Sequence, residues 1–162
     1  MPLAPGELLA LAGMMGAGKS SVAALLGQAL GRRVVSTDAH LTARFRKPIP
    51  AIFAEEGEPA FRQAEQELVA QLSGDLVVDL GGGAFCHPAS AAHLLKKGRV
   101  VFLDVSHAEA ARRIGAGGGR PLASTWEALH QARLPLYRRA QLTIAVDGLA
   151  PEAVARRILE SL

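Results

Sequence analysis

Residues Gly13–Ser20 read GMMGAGKS and directly follow an apolar run, Leu8–Ala12, that predicts a buried β-strand. The stretch completes the pattern G-x-x-x-x-G-K-S/T and is followed by a segment with helical spacing of its apolar residues. Glycine amides and the amides of a helix N-terminus can converge there on phosphate oxygens, where Cβ atoms would obstruct them. The stretch therefore predicts a phosphate-binding loop, or P-loop, and a plain glycine-rich turn is the alternative.

Two polar residues close this loop, and each suits one part of a magnesium nucleotide. Lys19 is expected to neutralise charge on the β- and γ-phosphates, and the Ser20 hydroxyl is expected to hold Mg²⁺. Kinases, motors and nucleotide-dependent switches all share such a site, so the rest of the chain must decide the function. The predicted ATP contacts in this stretch are Gly13, Gly16, Ala17, Gly18, Lys19, Ser20 and Ser21.

Short apolar runs alternate with longer helical patterns along the chain. Such alternation predicts parallel strands joined by helical crossovers, and near-continuous apolar strands predict a sheet covered on both faces. Pro88 and Pro151 suit first-turn positions of two of the helices. We expect one α/β domain over residues 1–162, a three-layer α/β/α fold with a five-stranded parallel sheet. The predicted strands are Leu8–Ala12, Arg33–Val35, Leu76–Leu80, Val100–Val105 and Leu142–Val146.

Composition narrows the class of protein. The 162 residues are 49% hydrophobic with a net charge of +3, and no basic run is interleaved with the few aromatics, which argues against a nucleic-acid partner. The longest uncharged apolar stretch, Leu8–Gly18, is well short of the ~20 residues of a membrane span. A single cysteine, Cys86, fits a reducing compartment. We expect a cytoplasmic protein without a membrane partner.

Five further motifs extend the pattern well beyond the P-loop. They are STDAH (36–40), IFAEEGEPAFRQAE (52–65), DLGGGAF (79–85), GRPLA (119–123) and RLPLYRRA (133–140). With these motifs the sequence resembles the shikimate kinases over nearly its whole length. The resemblance implies a P-loop kinase fold and transfer of the γ-phosphate of MgATP to the 3-hydroxyl of shikimate. The products would be ADP and shikimate 3-phosphate, in the biosynthesis of aromatic amino-acid precursors.

The resemblance assigns the acceptor-binding residues, in a subregion near residues 37–65 and beyond it. Asp38 is implied to bind substrate hydroxyls, and Arg62 and Arg133 to hold the substrate carboxylate. The chemistry is suitable, because guanidinium groups pair with carboxylates and an aspartate can take a proton from an attacking hydroxyl. Taken singly, Asp38 could cap a helix, Arg62 could pair with Glu65, and Arg133 could be a solvated charge.

The resemblance also assigns a glycine turn, a lid and an adenine side. Gly81, Gly82 and Gly83 are implied to contact substrate, chiefly at Gly82, where missing side chains allow close approach. A lid near residues 115–125 carries Arg120, which is implied to reach the transferring phosphate as a catalytic residue beside Lys19 and Asp38. An ordinary exposed loop is the alternative for this glycine-rich segment. Arg113 and Pro151 are implied to lie on the ATP side.

One departure from the family concerns the metal. The family motif after the second strand is usually D-x-D, with its first aspartate serving Mg²⁺ through water, and here that position is Ser36. Asp79 ends an apolar run two positions before the triple glycine, where the family commonly has a small uncharged residue. We therefore hypothesise that the metal-site carboxylate has moved to Asp79, beside Ser20. Alternatively, Asp79 only caps the glycine turn.

Two alternative functions remain open: a kinase with another phosphate acceptor, and a nucleotide-binding protein without kinase activity. The segment from Arg120 to Arg133 is shorter than the usual lid of the family, and the loop between Asp147 and Pro151 is also short. Ser36 and the short lid are the features that would fit a non-catalytic nucleotide-binding module instead. A gluconate or nucleoside-monophosphate kinase would share the P-loop but would not need two arginines beside an acidic hydroxyl binder. The favoured partners are the small molecules shikimate and ATP, bound by a monomer.

Overall fold

One sheet of five parallel strands organises the structure, a computed structural model that describes residues 2–114 and 123–162. Side by side, the strands run in the order β2-β3-β1-β4-β5, and every neighbouring pair is parallel. The central strand β1 therefore delivers the P-loop to the middle of the sheet. The strands are β1 (Leu8–Ala12), β2 (Arg33–Ser36), β3 (Leu76–Asp79), β4 (Gly98–Asp104) and β5 (Leu142–Ala145).

Helices flank this sheet and complete the predicted three-layer α/β/α fold. The helices are α1 (Lys19–Leu30), α2 (Thr37–Phe45), α3 (Ile49–Glu55), α4 (Glu58–Ala70), α5 (Pro88–Lys97), α6 (His107–Ile114), α7 (Ala123–Tyr137) and α8 (Pro151–Ser161), with a short 3-10 helix at Ala84–Cys86. Pro88 and Pro151 open helices as expected, since their fixed φ suits the first turn. Helix α1 packs against α8 and α5 against α4. In the described ranges no helix has the length and apolar character to cross a membrane.

Strand boundaries differ from the sequence prediction by one or two residues. The β4 strand begins at Gly98 rather than Val100, because Gly98 pairs with Leu8 at the start of β1. A Cβ at Gly98 would overlap the Leu8 backbone, so glycine permits this pairing. At the other edge β2 continues to Ser36, which lies opposite the last residue of β3, Asp79.

Helices α2 and α3 were not predicted, and both lie between β2 and α4. Their apolar pattern is sparse, since α2 buries only Thr37 and Leu41 and α3 only Ile52 among the residues they contain. Leu41 and Ile52 form a second hydrophobic cluster, separate from the main core, with Phe61 and Ala64 of α4. This small cluster supports the helices that carry the expected acceptor-binding subregion, 37–65.

Candidate active site

The P-loop joins β1 to α1 with a left-handed residue at the junction. Gly18 has φ of 88° and precedes the first residue of α1, Lys19, with no side chain capping the helix. This backbone conformation favours glycine, and the uncapped first-turn amides are suited to bind phosphate. The Lys19 ammonium donates to the carbonyl oxygens of Gly13 at 2.6 Å and Met14 at 3.2 Å, so it lies over the loop.

Arg113 ties the P-loop to the segment before α8. Its Nη1 donates to the carbonyl oxygens of Gly16 at 3.3 Å and Ala17 at 3.1 Å. Its Nη2 donates to the carbonyl oxygens of Val146 at 2.9 Å and Leu149 at 3.2 Å. The side chain thus lies beside the P-loop, where it braces two loops through main-chain bonds.

One cavity of about 1130 Å³ runs from the P-loop to Arg133 of α7. The end predicted to bind the nucleotide, here called the nucleotide end, is lined by Gly16, Gly18, Lys19, Ser20, Ser21, Arg113 and Pro151. The end predicted to bind the acceptor, here called the acceptor end, is lined by Asp38, Phe53, Arg62, Glu65, Gly81, Gly82, Gly83 and Arg133. Ser36 and Asp79 also line it. The structure therefore brings the two groups of sequence-predicted residues into one space.

The triple glycine after β3 is covered by three charged side chains, one over each residue. At Gly81 an added Cβ would overlap the Asp38 carboxylate. A Cβ at Gly82 would lie 2.9 Å from Arg133 Nη1, and a Cβ at Gly83 would lie 2.6 Å from Arg62 Nη1. We expected the missing side chains to admit substrate. The structure shows a further reason for them, because they let one carboxylate and two guanidinium groups converge.

A buried acid holds one of these guanidinium groups. Glu65 Oε1 accepts a hydrogen bond from Arg62 Nη1 at 2.9 Å, and the Glu65 side chain is only 4% exposed. The more exposed Glu58 accepts from Arg62 Nε at 3.3 Å. The guanidinium carbon also lies within 6 Å of the ring centroids of Phe53 and Phe61, at 5.8 and 5.2 Å. Arg62 is thus held on several sides at the acceptor end.

Glu65 is expected to make the stability of the protein depend on pH. Burial raises the pKa of the Glu65 carboxyl, and the Arg62 guanidinium opposes part of that rise. The stability that Glu65 contributes is therefore complete below the ordinary pKa of a glutamate, and it is lost as the pH rises from there through the raised folded-state pKa. We expect Glu65→Gln, which does not titrate, to gain thermal stability relative to wild type as the pH rises above about 4.

Thermal unfolding of both proteins across that range measures the effect. Glu58→Gln is the matched control, because Glu58 also pairs with Arg62 on the same helix but its side chain is 61% exposed. A stability difference between Glu65→Gln and wild type that stays constant with pH would contradict a raised pKa at Glu65.

Sequence reasoning did not single out two residues that shape the site from α7. The Tyr137 hydroxyl is buried and donates to the carbonyl oxygen of Gly82, and its ring stacks on Phe102 with centroids 4.9 Å apart. Trp126 Nε1 donates to the carbonyl oxygen of Met15 in the P-loop at 3.1 Å. Tyr137 lies inside the RLPLYRRA motif, which could have indicated its role, whereas no sequence pattern marked Trp126.

The predicted lid near residues 115–125 lies largely outside the residues that the structure describes. Arg120, the catalytic residue predicted on this lid, is one of the residues outside them.

A P-loop on the central strand of a five-stranded parallel sheet, opening into a cavity with convergent acidic and basic side chains, defines a P-loop small-molecule kinase. Within that class the chain belongs to the shikimate kinase family, whose model matches residues 15–162. It is accordingly an ATP-dependent kinase, and the resemblance noted in the sequence is confirmed.

Three comparisons illustrate the relationship. A shikimate kinase from Synechococcus sp. (strain RCC307) is 41% identical over 97% of this chain and 85% of its own length. The structure of the shikimate kinase from Acinetobacter baumannii in complex with shikimate matches with a TM-score of 0.86 and 32% identity, covering 96% of this chain and 92% of that one. A gluconokinase from Sinorhizobium meliloti 1021 matches with a TM-score of 0.59 at 22% identity, over 96% and 90% of the chains, which indicates the fold alone.

Proposed function

We propose that the cavity binds ATP at the P-loop and shikimate at the triple glycine, and that the enzyme transfers the γ-phosphate to the shikimate 3-hydroxyl. The observation that carries this proposal is the placement of Asp38, Arg133 and Arg62 over Gly81, Gly82 and Gly83. Shikimate carries one carboxylate and several hydroxyls, so it presents the groups that two guanidiniums and one carboxylate can bind.

The two arginines hold the substrate carboxylate, and Asp38 binds hydroxyls. Arg62 is oriented by Glu65, and Arg133 lies against Met14 of the P-loop, with Nη1 3.9 Å from its sulfur. These contacts fix two planar donors, which suits bidentate binding of a carboxylate. Asp38 accepts the proton of the attacking hydroxyl as general base.

The opposite end of the cavity binds the nucleotide. The P-loop amides and Lys19 bind the phosphates, and Arg113 and Pro151 flank the adenine side. Arg120 reaches the transferring phosphate from a lid, an assignment that rests on the sequence motif. The hydroxyl of Ser20 and the carboxylate of Asp79 are oxygen donors of the kind that Mg²⁺ prefers, and they lie 2.6 Å apart. When bound, Mg²⁺ neutralises charge on the phosphate oxygens.

The proposed function also bears on the domain organisation, oligomeric state and cellular compartment of the protein. The whole chain acts as one kinase domain, a monomer in the cytoplasm whose substrates are the small molecules shikimate and ATP. Cys86 is the single cysteine and forms no disulfide, which suits a reducing compartment.

A coupled assay of ADP release with shikimate, gluconate or AMP as acceptor tests the proposal. We expect shikimate-dependent release and little release with the other two, because AMP has no carboxylate for the two arginines and gluconate carries its carboxylate and hydroxyls on a flexible open chain rather than a rigid ring. Release with gluconate or AMP but not shikimate would assign the site to another small-molecule kinase. No release with any acceptor, despite ATP binding, would favour a regulatory nucleotide-binding module.

A further inference from the structure

Asp79 and Ser20 meet beneath the nucleotide end of the cavity. The Ser20 hydroxyl donates to Asp79 Oδ2 at 2.6 Å, which joins the first turn of α1 to the last residue of β3. The contact arises because β3 lies beside β1, so the two strands end next to each other at the same edge of the sheet. Both residues line the cavity, with Ser36 nearby.

Asp79 lies beside position 36, on the neighbouring strand, where the family resemblance places a metal-site aspartate. Ser36 and Asp79 are register partners at the ends of β2 and β3. A carboxylate at either position therefore reaches the same part of the cavity from adjacent strands. Ser36 has a structural role instead, because its Oγ accepts a hydrogen bond from the amide of Ala39 at 3.2 Å and caps the N-terminus of α2.

The alternative role for Asp79, capping the glycine turn, is filled by other acceptors. The Gly81 amide donates to Thr37 Oγ1 at 2.7 Å, and the Leu80 amide donates to the Leu11 carbonyl oxygen at 3.2 Å. The Ala84 amide closes the turn on the Gly81 carbonyl oxygen at 3.0 Å. These hydrogen bonds hold the turn without Asp79. The Asp79 carboxylate instead accepts the hydrogen bond from the Ser20 hydroxyl.

We propose that Asp79 is the metal-positioning carboxylate of this kinase and takes over the task of the aspartate that is absent at position 36. The inference rests on the proposed use of MgATP. By accepting a hydrogen bond from the Ser20 hydroxyl, Asp79 holds the proton of that hydroxyl on its own side and leaves the lone pairs of Ser20 Oγ free to bind a metal ion. The other carboxylate oxygen can accept hydrogen bonds from water bound to the metal.

The donor set also predicts when the metal binds. Among the residues that the structure describes, no cluster of three or more His, Cys, Asp or Glu side chains could hold an ion. Mg²⁺ ordinarily keeps several waters and is bound through one or two protein oxygens together with substrate phosphates. We therefore expect Mg²⁺ to bind through Ser20 and Asp79 only together with a nucleotide.

Titration of Mg²⁺ into the enzyme–ADP complex, followed by calorimetry, tests the proposal without turnover. We expect Asp79→Asn to raise the half-saturating Mg²⁺ concentration about 10-fold or more, the usual effect of losing a residue that orients a metal ligand. The affinity for ADP without metal should change little. Adding Ser36→Asp to Asp79→Asn should restore part of the loss, because position 36 reaches the same part of the cavity.

Asp75→Asn is the matched control, since it removes the same charge just before the opposite end of β3, where Asp75 pairs with Arg32 at 3.3 Å. It should leave the Mg²⁺ titration unchanged. An unchanged titration in Asp79→Asn, or a loss that Ser36→Asp does not reduce at all, would overturn the proposal. Shikimate binding to the wild type is measured separately, so its failure would contradict the proposed function and leave the Asp79 result interpretable.

Discussion

Asp38→Asn is expected to lower kcat with shikimate about 100-fold or more, the low end of what a positioned general base contributes. Asparagine has the same shape as aspartate, so it can occupy the space over Gly81 and still bind a hydroxyl. It cannot accept the hydroxyl proton. The KM for ATP should change little, because the Lys19 and P-loop contacts are not altered.

Steady-state kinetics, with the concentrations of shikimate and ATP both varied, measure kcat and the KM for ATP separately. Asp75→Asn serves as the control for charge removal, because Asp75 lies beside Arg32 and outside the cavity. A variant at Asp38 with nearly wild-type kcat would exclude it as the base. A large rise in KM for ATP with unchanged kcat would instead place Asp38 on the nucleotide side.

Arg133→Lys is expected to weaken shikimate binding by one to several decades, corresponding to about 2–5 kcal/mol for the loss of a charged hydrogen-bonding partner that the bound substrate would bury. Lysine keeps the positive charge but loses the planar fork that lies over Gly82. The affinity for ATP should fall much less. Arg62→Lys should behave similarly, with the added loss of the geometry that Glu65 fixes.

Calorimetric titration of each ligand separately measures both affinities. Arg138→Lys, an exposed arginine at the end of the same segment, is the control and should bind both ligands as the wild type does. Equal weakening of shikimate and ATP in Arg133→Lys would remove Arg133 from the acceptor pocket.

The sheet and the P-loop were predictable because the local pattern determines both. Apolar runs separated by helical segments specify parallel strands, and the glycine–lysine–serine pattern specifies a loop that opens a helix. Helices α2 and α3 were not predicted, because each buries too few residues to give a clear periodicity, and Ile52 and Leu41 pack on a minor cluster. Their positions depend on tertiary contacts with α4.

The acceptor end could be anticipated only through the family resemblance. Asp38 lies on α2, Arg62 on α4 and Arg133 on α7, and no sequence spacing brings these helices together. The glycine turn after β3 does so, because each missing Cβ leaves space for one of the three side chains. The supporting roles of Glu65 and Tyr137 depend on burial, which a motif does not report.

The fate of the transferred phosphate shows directly whether shikimate is the acceptor. The enzyme is incubated with shikimate and ATP labelled at the γ-phosphate, and the products are resolved by nuclear magnetic resonance. We expect label on the 3-hydroxyl of shikimate, in step with ADP formation, and loss of that product in Asp38→Asn. Label in inorganic phosphate alone, or on another hydroxyl of shikimate, would contradict the proposed placement of the acceptor over Gly81, Gly82 and Gly83.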